Sequence, residues 1–353
     1  MRKLKLGVML GGMSTEHDVS ISSGVSVLQN LNKDKYDIYP IYIAKDGIWY
    51  EYSLTKTEKK TIKVGEQIAY GKQIKNEIEY LKQLDVVFPV LHGLYGEDGS
   101  MQGLLELAKI PYVGCHIIGS CLGMDKVYSK IIFEKAKIKQ ADYCYIRKDK
   151  EKYRYIEKDF TEKVYTLEEV TEKIVDKLNF PMFIKPSNSG SSVGISKAKN
   201  EEELKKAIIT AEEYDKKLLI EEEINGREVE CAVLGNEEVI ASCIGEIIPA
   251  EEFYDYKSKY QNTASRVLIP ADITKEKEEE IQKTAIKAYK ALDGKGLSRV
   301  DFFIDRKTEE VYINEINTMP GFTEISMYPK LLGEIGIPYS TLLDELIELA
   351  TEK

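Results

Sequence analysis

The chain has 353 residues, enough for two or three domains. Its 43% hydrophobic and 31% charged residues are ordinary globular usage, which excludes extended disorder. Lys plus Arg number 50 against 60 Asp plus Glu, so the net charge of −10 excludes a bulk attraction for nucleic acid or anionic lipid.

Leu4 to Leu10 reads as a buried strand entering a turn at Gly11-Gly12. Ser14 and Thr15 are candidate N-caps for a helix through Val19, Ser22 and Val25 to Leu28, with Glu16 and Asp18 in its first turn. Tyr36 to Ala44 and Asp85 to Leu91 read as further strands, and the strand–helix–strand order predicts a parallel sheet. Such sheets bind ligands beyond the strand C-termini, where Gly11-Gly12 and His92-Gly93 fall. Residues 147–163 hold seven bases and five acids of alternating sign and read as a solvated insertion.

Thr166 and Glu169 form a capping-box pattern ahead of Val170, Ile174 and Leu178; Asn200 and Glu203 repeat it ahead of Leu204, Ala207 and Ile208. Phe180 to Lys185 and Leu218 to Glu221 are strand-like. Thr274 starts a helix carrying Ile281, Ala285, Ala288, Tyr289 and Leu292, which Gly294 stops. Arg299 to Asp305 and Glu310 to Asn317 read as two strands joined by a short turn. The order predicts α/β and α+β units in series.

No apolar run approaches the ~20 residues of a membrane span, and the five-residue apolar stretch near Met1 is too short for a signal peptide. Five scattered cysteines without a CxxC pair predict reduced thiols and a cytoplasmic protein. His17, His92 and His116 lack zinc-ligand spacing, and only His92, at a strand end before glycine, is a candidate for function. The 23 tyrosines read as core and surface area.

Three constellations could carry chemistry. Lys185 closes a strand before the small-residue run Pro186 to Gly194, which is either a hairpin turn or a backbone cradle for an anion. Arg299 and Asp301 on one strand, and Glu315 and Asn317 on the next, have the two-residue spacing that shares a face. They are either a salt-bridge cluster or hard oxygen ligands for Mg²⁺ bridging nucleotide phosphates. Glu221, with Glu222, Glu223 and Glu228, is either a solvated acidic face or an acceptor for a sugar hydroxyl or adenine amine.

Together these strings closely resemble the D-alanine–D-alanine ligase family of the ATP-grasp superfamily. The anchors run in order over nearly the whole chain: GGMSTEHDVS (11–20), HGLYGEDGSMQG (92–103), MDK (124–126), KPSNSGSSVG (185–194), EFYDYKSKY (252–260), SRVDFF (298–303) and NEINTMPGFTEISMYP (314–329). The resemblance implies a three-domain ATP-grasp fold. An N-terminal parallel α/β substrate domain would span 1–120, a central subdomain 121–220, and a C-terminal subdomain 221–353 with an ω-loop at 246–270 and a Mg²⁺ site.

It implies that Lys126, Lys185, Ser192 and Lys259 meet the nucleotide, with Glu221 and Glu228 near adenine and ribose. Asp301, Glu315 and Asn317 match the ligands of Mg²⁺, or of Mn²⁺ in its place. Glu16 matches the glutamate that meets the first D-alanine's ammonium. Ser191 and Tyr260 match the pair that ties the ω-loop over the site, and His92 and Glu97 lie in the matching N-terminal loop. Arg299 and the Gly321 N–H match the oxyanion stabilisers. Ser326 matches a residue at the second substrate's carboxylate, beside Met327, where several resistance ligases carry arginine. The implied activity is ATP-dependent D-alanyl-D-alanine synthesis for peptidoglycan by a cytoplasmic homodimer, with D-serine or D-lactate as the alternative second substrate.

Overall fold

The computed structural model describes residues 2–52, 70–248, 266–323 and 325–352. Their strands form three sheets. The first contains β1 (Leu4–Gly11), β2 (Tyr36–Ile43), β3 (Trp49–Tyr52), β4 (Tyr70–Gln73) and β5 (Val86–Pro89), in the order β4-β3-β2-β1-β5. Strand β1 runs parallel to both β2 and β5, as the strand–helix–strand order predicts. The β3–β4 edge is antiparallel, so the sheet is mixed. Helices α1 (His17–Asn30), α2 (Glu77–Leu81) and α3 (Ser100–Ala108) accompany it.

Helix α1 starts later than its predicted caps. Its N-cap position is Glu16, which makes no side-chain cap bond. Ser14 instead accepts from the Glu16 N–H and donates to the His92 carbonyl oxygen at 2.6 Å. The serine is diverted from capping to joining two loops at the strand ends.

Helices α4 (Ile117–Met124) and α5 (Lys126–Lys135) lead into the second sheet. It comprises β6 (Tyr143–Asp149), β7 (Lys152–Ile156), β8 (Glu162–Tyr165), β9 (Met182–Pro186), β10 (Ser196–Ala198) and β11 (Lys217–Glu222), with α6 (Leu167–Val175) and α7 (Glu201–Ala211). Thr166 makes both bonds of its capping box, and Asn200 accepts from the Glu203 N–H.

The expected solvated insertion at 147–163 is not one. It contributes β7 and the start of β8, and Tyr153 and Tyr155 are buried among Ile146, Val170, Ile174 and Ile208. Alternating charge hid a strand whose other face is aromatic. We expect Tyr155→Ala to cost about 3–5 kcal/mol, the range for deleting a large buried ring, measured by denaturant unfolding.

The third sheet holds β12 (Gly226–Leu234), β13 (Ile240–Ile248), β14 (Arg266–Leu268), β15 (Leu297–Asp305) and β16 (Val311–Asn317), all antiparallel. Helix α8 (Lys275–Ala291) buries Ile281, Ala285, Ala288 and Tyr289 against it. The left-handed residue that ends α8 is Asp293 rather than Gly294. Gly294 is needed for closeness, because a Cβ there would collide with the Tyr289 ring.

Helices α9 (Met327–Glu334) and α10 (Tyr339–Thr351) close the chain. Leu342, Leu343, Leu346 and Ile347 of α10 share one core with Leu6, Val8, Val86 and Phe88 of the first sheet. The C-terminal helix thereby packs back onto the N-terminal sheet. All five cysteines are unbridged thiols. No helix among the described residues is long and apolar enough to cross a membrane.

Candidate active site

The three sheets surround one cleft of about 1060 Å³. Its first wall is the end of β1. Gly11 and Gly12 are both left-handed, which turns the chain sharply so that Glu16 faces inward. Glu16 is packed so closely against Gly93 and Gly190 that a Cβ at either position would collide with its carboxylate. The Ser191 hydroxyl donates to that carboxylate. Ser191 and Ser192 both hold left-handed backbone, a strained choice for serine that is maintained by the tight turn of 187–194. We expect Gly190→Ala to lower kcat/KM about tenfold or more, by forcing Glu16 and Ser191 apart at the cost of a charge-assisted bond. Steady-state kinetics check this, with unchanged far-UV circular dichroism as the control.

The second wall gathers cations. The Lys126 ammonium donates to the Ser189 carbonyl oxygen at 2.6 Å and lies 3.7 Å from Glu315. Lys185 pairs with Glu221 and reaches Asn314 Oδ1 at 3.4 Å. Glu221 carries a second lysine, Lys130, at 2.8 Å. Burial works to raise the Glu221 pKa, but Lys130 and Lys185 outweigh it and hold the carboxyl down at about 2. Glu221 therefore stands as the counter-charge of two lysines rather than as an open acceptor for a hydroxyl. The base of the serine-rich loop is fastened to the start of α5: Ser187 donates to Asp125 at 2.7 Å, and Asp125 also caps α5 and pairs with Lys217.

The third wall is the β15–β16 hairpin, in the predicted register. Arg299 lies opposite Asn317, and Asp301 opposite Glu315. Arg299 forks onto Asp301 through Nε and Nη2, both at 2.7 Å, and Nε lies 3.2 Å from Glu230 on β12. Burial opposes its charge, but Asp301 and Glu230 outweigh burial and raise its pKa well above the ordinary value. The Asn317 amide donates to Asp301 Oδ2 at 3.0 Å. Four carboxylates, Glu228, Glu230, Asp301 and Glu315, thus share this face with one guanidinium. These oxygens are hard donors of the kind a divalent cation takes, but among the described residues no three His, Cys, Asp or Glu side chains form a group that could hold one.

Residues 319–323 and 325–326 close the cleft from the C-terminal side. His92 Nδ1 faces the Met319 carbonyl at 3.0 Å, so it carries the proton. Nε2 then accepts from Ser23 at 2.9 Å, and Ser23 accepts from the Phe322 N–H. Burial lowers the His92 pKa and keeps the ring neutral. With both ring nitrogens used inside the protein, His92 holds the segment that carries Gly321 rather than presenting a free nitrogen. Glu97 accepts from the Gly93 and Met319 N–H groups; burial first, and Glu16 second, push its pKa up to about 8. Ser326 accepts from the Thr323 N–H at 3.0 Å and sits so close to Gly321 that a Cβ there would approach within 2.7 Å.

Family profiles described as D-ala D-ala ligase N-terminus and D-ala D-ala ligase C-terminus match residues 5–115 and 132–348. The chain belongs to the D-alanine–D-alanine ligase family. It is 51% identical to the D-alanine–D-alanine ligase of Acetivibrio thermocellus, over 99% of this chain and 96% of that protein. It is 50% identical to that of Clostridium acetobutylicum, over 99% of each chain. Among solved structures, the VanG D-Ala:D-Ser ligase from Enterococcus faecalis superimposes with TM-score 0.83 at 38% identity, covering 99% of this chain and all of that one. The D-alanine–D-alanine ligase from Coxiella burnetii gives 0.79 at 34%, over 99% and 94%. The mixed α/β architecture is the ATP-grasp fold of this family.

Within this D-alanine–D-alanine ligase family member, the cleft is lined by Glu16, His92, Lys126, Lys185, Ser191, Ser192, Glu221, Glu228, Arg299, Glu315, Asn317, Gly321, Ser326 and Met327. Asp301 lies behind them, beneath Arg299 and Asn317. Lys259, Tyr260 and the string 252–260 lie outside the described residues. Three participants escaped the sequence reading. Lys130 follows Lys126 by four positions and Glu230 follows Glu228 by two, so helix and strand periodicity could have found both. Ser23 offers no such signal, because its partners His92 and Phe322 are distant in sequence.

Proposed function

We propose that the chain joins two D-alanines into D-alanyl-D-alanine while cleaving ATP to ADP and phosphate. The observation that carries this reading is the convergence in one cleft of a lysine cluster, a carboxylate-rich hairpin around Arg299 and the Ser191–Glu16 link. Full-length relatives bearing that name support it.

The chemistry explains these residue types. Oxide is a poor leaving group, so a carboxylate must be activated. An oxygen of the first D-alanine's carboxylate attacks the γ-phosphorus, the bond to the β-bridging oxygen breaks, and ADP leaves D-alanyl phosphate behind. The second D-alanine's amine, relieved of its proton, attacks the acyl carbon, and the tetrahedral intermediate expels phosphate. Transfer of a phosphoryl group needs cations around it, and the developing oxyanion needs donors.

Lys126 and Lys185 supply charge to the phosphates, with Ser192 and Lys259 beside them and Glu221 and Glu228 on the nucleoside side. Arg299 and the Gly321 N–H face the oxyanion. Glu16 takes the first ammonium, and Ser191 with Tyr260 ties the ω-loop over it. Ser326, beside Met327, takes the second substrate's carboxylate. Asp301, Glu315 and Asn317 would hold Mg²⁺, or Mn²⁺ in its place, which when bound offsets negative charge on the phosphates. The acyl phosphate hydrolyses readily, so the 187–194 loop and the 246–270 segment serve to exclude water. The three domains divide near residues 120 and 220. The protein acts in the cytoplasm, as a homodimer, in supplying peptidoglycan precursor.

A second reading, D-alanyl-D-serine synthesis, is favoured by the structural likeness to VanG. Met327 at the second-substrate wall supports D-alanine instead. The test supplies ATP, Mg²⁺ and D-alanine with equimolar D-serine or D-lactate and weighs the product by mass spectrometry. D-Alanyl-D-alanine is expected to dominate; a dominant mixed product would overturn the acceptor assignment. Phosphate release that does not depend on D-alanine would overturn the ligase reading.

A further inference from the structure

Of the two lysines on Glu221, only Lys185 has a part in the reading above. Lys130 lies one turn along α5 from Lys126. It is 2% exposed, with Nζ 2.8 Å from Glu221 and 5.4 Å from the centre of the Tyr143 ring. Lysines are almost never buried to this degree unless paired. Burial draws its pKa down, and the Glu221 charge opposes that.

We propose that Lys130 is a positioning residue for nucleotide binding, holding the Glu221 charge compensated when Lys185 turns from that carboxylate to the phosphates of ATP. The inference rests on the reading of Lys185 as a phosphate contact. Glu221 is 5% exposed, so water cannot offset its charge. One carboxylate shared by two ammoniums leaves a surplus positive charge, and that surplus is what an anion can draw on. Without Lys130 the remaining Lys185–Glu221 pair is one-to-one and buried. Any phosphate attracting Lys185 would then strand a buried carboxylate, which is costly. Lys130 itself touches neither phosphate nor amino acid; it acts through Glu221 on Lys185.

The test compares Lys130→Met, similar in length but uncharged, in two backgrounds. In the wild-type background KM for ATP and Kd for ADP are expected to rise about tenfold, a middling coupling for residues in one network. KM for D-alanine and kcat at saturating ATP should stay within about twofold. In a Glu221→Gln background the carboxylate facing Lys185 is gone, and Lys130→Met should then change ADP affinity by less than about twofold. The same factor in both backgrounds overturns the proposal, since a merely structural lysine would act independently of Glu221. Unchanged ADP affinity in Lys130→Met also overturns it. Lys130→Arg, which keeps the charge, is expected to restore near-wild-type affinity. If Lys130→Met does not fold, Lys130→Gln gives the same comparison.

Lys185→Met separates the two readings. Unaltered ADP affinity there removes the phosphate contact on which the inference rests. Weakened binding there, with unaltered binding in Lys130→Met, overturns only the role of Lys130.

Discussion

Replacing Arg299 with alanine is expected to lower kcat for dipeptide synthesis by about 10²–10³-fold, the usual effect of removing one oxyanion donor, while ADP still binds. The guanidinium is partly buried at the centre of the hairpin face, lines the cleft and is held by Asp301 and Glu230. The lysines proposed to hold the phosphates stand on other elements, Lys126 on α5 and Lys185 on β9, so nucleotide affinity should survive. The same substitution strands two buried carboxylates, and breaking such a pair costs about 3–5 kcal/mol. A lowered melting temperature should therefore accompany the loss of activity, and kinetics belong well below it. Near-normal dipeptide synthesis by Arg299→Ala would sink the assignment of Arg299. Arg299→Lys keeps charge but loses the fork, and should retain folding better than activity.

The second large effect is expected from Glu16→Gln. The substitution keeps volume and the bond from Ser191, yet removes the negative charge proposed to receive the first D-alanine's ammonium. Deleting one charge of a desolvated ion pair costs enough to lower kcat/KM for D-alanine by roughly 10²-fold. KM for ATP should be almost unaffected, because the lysine cluster does not contact Glu16. Saturation curves in D-alanine at fixed high ATP measure this. Unchanged D-alanine kinetics would remove Glu16 from the site. Ser191→Ala should cost less than Glu16→Gln, and the two together less than their product, because Glu16→Gln already weakens the Ser191 bond by removing its charge assistance.

Much of the site was legible because its chemistry repeats with local structure. Arg299 and Asp301, then Glu315 and Asn317, are spaced by two on paired strands, so alternation alone put all four on one face. The capping residues Thr166, Asn200 and Thr274 were readable for a similar reason: each bonds a backbone N–H only three residues away. The misreadings share the opposite property. Ser14 looked like an N-cap until a loop 78 residues away claimed its hydroxyl. Residues 147–163 looked solvated because charge is visible in sequence, whereas the core that buries Tyr153 and Tyr155 is assembled from α6, α7 and distant strands.

By itself the sequence determined the helices with local caps, the β15–β16 hairpin face, and the family, because these follow from short-range spacing and from strings of residues in order. Only the tertiary structure decided which charges compensate one another. Glu221 became the counter-ion of Lys130 and Lys185, Arg299 came to be shared by Asp301 and Glu230, and Ser23 came to bridge His92 to the segment carrying Gly321. The physical reason is that a buried charge must find a partner wherever folding brings one within about 3–4 Å. Sequence separation sets no limit on where that partner lies.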